Sequence, residues 1–244
     1  MPRKLLVLIA AVLIALCSPL LAQRISKTPA VEPASPSTWE SAVKERREEL
    51  IRQNGQGKDA ALRDQLIKMR ARDQAARGFA SGNQSSMTGE LMQQLPAADA
   101  QLTLELKQIV EQKGWPTIAL VGIEASNDAM LILTHTADHA WQAKLLPQLE
   151  QFADAGQIDP SSLALVVDKE LVAEGKLQRY GSQFKFVNGE MAMYGVEDPD
   201  GLDRRRAKAL LPPMKIYKEN LSQIYHLKAG NAIVSATPPS QKQN

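Results

Sequence analysis

The stretch FKFVNGEMAMY, residues 184–194, is where the sequence changes its period. Phe184 and Phe186 flank Lys185 before Asn188-Gly189, and Met191 and Met193 flank Ala192 after it. Alternation at period two around an Asn-Gly pair is a strong hairpin signal, because that pair accepts the positive φ values of a two-residue turn. Neither flank continues that period. Upstream, residues 125–137 carry a nearly continuous apolar run through Ala129, Leu131, Ile132 and Leu133, which predicts a buried helix. Asp159-Pro160-Ser161 opens another, through Leu163, Leu165, Val166, Leu171 and Val172, with proline suited to a first helical turn.

Helical spacing extends in both directions. Ser37-Thr38-Trp39-Glu40 is a capping box, and the helix after it, to about Gln53, is so charged that most of it reads as a solvated face. Asp59 can cap a helix to about Arg77, with Leu62, Leu66, Met69 and Ala76 on one stripe and Asp73 on that same stripe. Residues 78–89 read as a loop. A short helix ends at Pro96, and another runs from Ala97 to Lys113 through Leu102, Leu106, Ile109 and Val110. Ile118–Val121 is a brief strand or a turn packed into the core. Residues 140–155 form an amphipathic helix, and Leu202–Leu211 another, stopped by Pro212-Pro213. A last helix runs from Met214 to about Leu227, and residues 228–244 read as a disordered tail. The expectation is a mainly α fold, α+β by virtue of one β-hairpin, in a single helical domain over residues 37–227.

The chain opens with Arg3-Lys4, an apolar run Leu5–Leu16, a break at Ser18-Pro19 and a small residue, Ala22. That order predicts a secretory signal peptide over residues 1–22, hence an exported protein, periplasmic or secreted. Cys17, the one cysteine, lies inside this leader. It follows Leu16, where lipid processing wants a small residue, so cleavage after Ala22 is expected rather than lipid anchoring. Residues 23–36, with Pro29, Pro33 and Pro36, read as a flexible tether. The chain has 29 bases and 27 acids, and the leader takes two of the bases, so the remainder is balanced. A neutral, cysteine-free mature chain gives no reason to expect nucleic acid, stable membrane insertion or thiolate chemistry.

Three ionisable residues fall on apolar helical faces: Asp73, His135 and Asp168. Such groups are costly in a core unless paired or lining a wetted pocket, and Arg72, Arg205 and Arg206 are candidate partners. His135, Asp138, His139 and Gln142 share a face if one helix runs through them. Two histidines four apart can hold zinc, but Thr136 stands where the HExxH signature has Glu and no third ligand is near, so no metal is expected. Phosphate and dinucleotide loops are absent, as is a serine elbow, and no cofactor is expected. Tyr180-Gly181-Ser182-Gln183 enters the hairpin, with polar tips at Tyr180 and Gln183.

These segments, in this order, resemble an uncharacterised bacterial domain family of unknown function. The likeness rests on Arg72-Asp73-Gln74, Gly114-Trp115-Pro116-Thr117, Leu120-Val121-Gly122, His135 to Asp138 with Gln142, and Asp168. It continues through Gln178, Tyr180–Gln183, Glu197-Asp198-Pro199, and Asp203–Arg206 leading to Leu211-Pro212-Pro213 and Tyr217, covering about residues 60–218. Thr134 stands where the family usually shows Gln, Lys169 where it shows Arg, Ser182 where it shows Thr, and Leu210 where it shows Gly. The resemblance implies residues rather than an activity. Together the readings point to a polar pocket built from Asp73, His135, Asp138, Tyr180, Gln183 and one of Arg205 or Arg206. Arg72, Gln74, Gln142 and Asp168 complete the binding set. The pocket would take a small polar or anionic ligand. Two alternatives stand beside it. One is a hydrolase with His135 as general base oriented by Asp138 or Asp73; the other is a structural or interaction domain.

Overall fold

The computed structural model describes residues 38–79 and 89–236. The leader, the tether, Ser37, residues 80–88 of the loop and the last eight residues lie outside the described residues. The fold is mainly α with a small β part. α1 (Thr38–Asn54) and α2 (Ala60–Ala76) are followed by the long α3 (Gly89–Lys113) and by α4 (Ile118–Val121), a single turn. Then come α5 (Ile123–His135), α6 (His139–Asp154) and α7 (Pro160–Ala173). The hairpin β1 (Phe184–Val187) and β2 (Glu190–Tyr194) precedes α8 (Leu202–Lys208), α9 (Met214–Tyr225) and β3 (Ala229–Val234). Among the described residues no helix is long and apolar enough to cross a membrane.

α5 is the axis of the main core. It packs against α2, α3 and α7, and α6 packs against α7. Every residue from Asp128 to His135 is buried, as the unbroken apolar run requires. Leu62, Leu66 and Met69 of α2 meet Leu102, Leu106 and Ile109 of α3 and Ala129, Ile132 and Leu133 of α5. A smaller core joins Phe184, Met191 and Met193 of the hairpin to Leu202, Tyr217 and Leu221. Asn188 and Gly189 both have positive φ, at 51° and 82°, as the hairpin turn demands.

Glycine is required at one close approach. A Cβ on Gly57 would lie 2.5 Å from the Gly122 amide nitrogen, and Gly57 has φ +92°. There the α1–α2 connection presses on the start of α5, and the Lys58 and Asp59 amides both donate to the Leu120 carbonyl. Asp59 then caps α2 by accepting from the Leu62 amide, as its position predicts.

Three expectations are corrected. Pro96 does not end a helix: α3 runs through it. A proline removes one backbone bond, which this helix survives because Leu102, Leu106 and Ile109 anchor the turns that follow. The tail is not disordered from Ala229, since β3 pairs in parallel with β2. The hairpin leaves the far edge of β2 with unpaired amides and carbonyls, and backbone pairing there needs little from the side chains of 229–234. Third, α5 stops at His135, with Thr136 extended, and α6 begins only at His139. His135, Asp138, His139 and Gln142 therefore do not share one helical face.

Candidate functional site

His135 is the last residue of α5, and Asp73 sits on the buried face of α2, a turn before its end. The two helices bring His135 Nδ1 to 2.7 Å from Asp73 Oδ1. Asp73 is fully buried and is held by two further donors: Gln74 Nε2 to Oδ2 at 2.8 Å and Arg77 Nη1 to Oδ1 at 2.8 Å. The other arm of Arg77 reaches Asp99 Oδ1 of α3, also at 2.8 Å. Burial works against the Asp73 charge, but the His135 hydrogen bond, the Arg77 guanidinium and the Gln74 amide outweigh it and hold the carboxyl below its ordinary range. For His135, burial dominates over the Asp73 carboxylate and pushes the imidazole below its ordinary value. The pair is thus a carboxylate and a neutral imidazole, with the Nδ1 proton on the Asp73 side.

That tautomer leaves Nε2 with its lone pair. Among the described residues Nε2 has no hydrogen-bond partner, and the His135 side chain keeps 5% of its surface exposed. A neutral imidazole with one nitrogen fixed by a carboxylate and the other unengaged is the arrangement of a general base.

The end of α5 is tied down on its other side. Lys169 of α7 is buried and donates to the Thr134 carbonyl at 2.5 Å and the Thr136 carbonyl at 2.6 Å. Gln142 Nε2 donates to the Leu133 carbonyl at 2.6 Å. The Asp138 amide donates to the Thr136 hydroxyl, which lies 2.9 Å from the Thr103 hydroxyl, and Thr103 bonds the Asp99 carbonyl. Just beyond, His139 Nδ1 lies 3.1 Å from Glu170 Oε2.

The expected residues divide into those this centre uses and those it does not. Asp73, Gln74 and His135 converge, and Gln142 supports the end of α5. Asp138 does not orient His135: it caps α6 by accepting from the Trp141 amide and pairs with Lys107. Arg72 lies on the outer face of α2 in an exposed pair with Glu105 at 2.5 Å, because α2 turns that side to water.

Asp168, Tyr180, Gln183, Arg205 and Arg206 form a second network, and among the described residues no hydrogen bond or ion pair joins it to the first. Asp168 accepts from the Arg179, Tyr180 and Ser182 amides at 2.7, 2.9 and 2.8 Å. Burial pushes its carboxyl up against the pull of those amides. Arg206, fully buried, donates to the Tyr180 and Pro212 carbonyls and lies 4.5 Å over the Tyr217 ring. Gln183 bonds the Ser182 hydroxyl, and Arg205 gathers the Arg179, Glu197 and Asp198 carbonyls. Most of these contacts are to backbone and lock the loop before the hairpin onto α7 and α8. Arg205 also pairs with the Asp198 carboxylate, and Arg206 Nη2 is buried with no hydrogen-bond partner among the described residues.

Three members of the His135 centre were not among the expected site residues: Arg77, Asp99 and Lys169. Arg77 stands four residues after Asp73, the spacing of a helical ion pair, and that signal could have found it. Asp99 precedes Leu102 by three and Leu106 by seven, on the buried stripe of α3. Lys169 interrupts the apolar stretch of α7. Donor atoms of Asp73, Asp99 and His135 lie within 4.8 Å of one another, a set whose chemistry could hold a divalent cation. The Arg77 guanidinium already bridges both carboxylates, so the set reads as an ion-pair network.

A family model described as a family of unknown function, DUF6624, matches residues 60–230. The chain belongs to this family. The DUF6624 match runs from α2 to the first residues of β3 and contains both polar networks whole. Comparisons with curated proteins and with solved structures return no match.

Proposed function

We propose that this domain binds a small polar ligand over His135 and acts on it as a hydrolase, with His135 as general base. The observation that carries the reading is His135 itself: Nδ1 committed to a buried, ionised Asp73, and Nε2 without a hydrogen-bond partner among the described residues. In the step envisaged, Nε2 takes a proton from water as the water oxygen bonds to the ligand's acyl or phosphoryl centre, and Asp73 steadies the imidazolium that forms. The imidazolium then gives the proton to the leaving group as its bond to that centre breaks. Arg77 and Gln74 act on Asp73, so they position the base without touching the ligand. The leader-like start, residues 1–22, supports a site of action outside the cytoplasm, and recovery of exported protein beginning at Gln23 tests that part.

The binding half is tested by thermal shift against a panel of small carboxylic acids, phosphates, amides and their esters. Wild type is compared with His135→Gln. A compound class that raises the Tm of wild type alone supports the reading. Melting indifferent to every compound in both proteins counts against a pocket for those classes.

A further inference from the structure

His135 ends α5, and the end of a helix is not neutral ground. Its unpaired carbonyls carry partial negative charge, which favours a protonated imidazole there. A general base at that position needs the charge discharged by something else. Lys169 does this directly: its ammonium bonds the carbonyls of Thr134 and Thr136, the residues on either side of His135.

We propose that Lys169 is a positioning residue for His135, one that fixes the imidazole in place and keeps it in its basic form by neutralising the carbonyl end of α5. The proposal rests on the reading of His135 as a base. Gln142 assists at the Leu133 carbonyl but brings no charge. Other charges face the same centre. Asp73 and Arg77 approach from α2, Asp99 from α3, and Glu170, with His139 beside it, from α7 and α6. Arg77 bonds Asp73 and Asp99, and among the described residues Lys169 is the cation hydrogen-bonded to the carbonyls on either side of His135.

The test is a nitrogen-15 NMR titration of the histidine rings in the mature chain, as wild type, Lys169→Met and Lys169→Arg. Lys169→Met keeps the apolar stem and removes charge and donors, whereas Lys169→Arg keeps both. The expected result is a His135 midpoint raised by about one pH unit in Lys169→Met and unmoved in Lys169→Arg. A folded Lys169→Met with an unshifted His135 overturns the role of Lys169 and leaves the base reading standing. If wild-type His135 is itself protonated at pH 7, the base reading fails first. Should Lys169→Met not fold, the wild type decides: burial pulls Lys169 down to about 8, so the His135 ring signals should move again as Lys169 loses its proton. Ring signals indifferent to that titration overturn the proposal.

Discussion

Asp73 Oδ1 lies 2.7 Å from His135 Nδ1 across 62 residues of sequence, and the same oxygen takes Arg77 Nη1 at 2.8 Å. One buried carboxylate thus holds an imidazole and a guanidinium at once. Removing only its charge, by Asp73→Asn, leaves Arg77 facing a neutral amide in a buried site. Loss of one partner from such a network costs about 3 kcal/mol. Urea unfolding at pH 7 should show that loss, and a change under about 1 kcal/mol would mean that Asp73 is not the charged hub.

Neutral His135 imposes a definite pH dependence. Its folded value is depressed, so the unfolded chain takes up the proton first as pH falls through about 6.5. Its contribution to stability is complete above that pH and erodes below it. Subtracting the unfolding curve of His135→Gln from that of wild type between pH 5 and 8 should isolate a difference that grows with pH and flattens above about 7. A difference that shrinks with pH would mean a raised imidazole.

Asp128 acts with the opposite sign. It is buried on α5 with Arg70 at 3.4 Å, and burial, with Glu124 and Asp73 nearby, pushes its carboxyl up to about 7. The folded state therefore binds a proton that the unfolded chain releases near pH 4, and stability drains away as pH rises between those values. Asp128→Asn should be more stable than wild type by roughly 1–3 kcal/mol at pH 8, with the advantage gone near pH 4. Urea midpoints of the two proteins at both pH values check this.

The two arginines expected to bind ligand should separate cleanly. Arg72→Ala removes an exposed pair and should cost under about 1 kcal/mol. Arg206→Leu strips donors from the Tyr180 and Pro212 carbonyls and should cost about 2–4 kcal/mol. Thermal denaturation ranks them, and a ligand effect confined to Arg206→Leu at unchanged stability would restore it to a site.

Backbone positions make a similar contrast. Gly57→Ala places a methyl 2.5 Å from backbone at φ +92° and should destabilise by more than about 2 kcal/mol. Leu210 already holds φ +57° just past α8, a conformation that suits glycine. Leu210→Gly should stay within about 1 kcal/mol of wild type, because relief of backbone strain offsets the removal of an apolar side chain. Chemical unfolding of both variants checks the pair.

Local signals made much of this fold legible. The cap at Asp59, the cap at Asp159, whose carboxylate accepts from the Ser161 amide at the start of α7, the Asn-Gly turn and the apolar stripe of α2 each act within a few residues, so sequence spacing reports them. Pro96 misled because a proline penalises a helix locally, while the packing that carries α3 past it is tertiary. β3 was hidden for the same reason: the free edge of β2 pairs with residues 229–234 through backbone. At the site, the stripe positions of Asp73 and His135 identified two buried ionisable groups, and left open whether Asp73 or Asp138 met the imidazole. Asp138 and His135 looked coupled through a helix that in fact ends between them. Asp168 is buried, as its spacing suggests, and Arg206, offered as a partner for such a group, is buried too. Yet the hydrogen bonds they make are to amides and carbonyls, which nearly every residue carries and no pattern of side chains reveals.

The proposed base requires a neutral His135 with Nε2 within reach of a ligand, and diethyl pyrocarbonate, which acylates unprotonated imidazole nitrogens, measures both properties together. His135 is resolved from His139 and His226 by peptide mass mapping. The expected result is acylation of native His135 with a rate that rises to its plateau at a pH below about 6.5, the ordinary imidazole value. A native His135 that stays unlabelled while His139 reacts, or whose rate still climbs above about pH 7, would contradict the account.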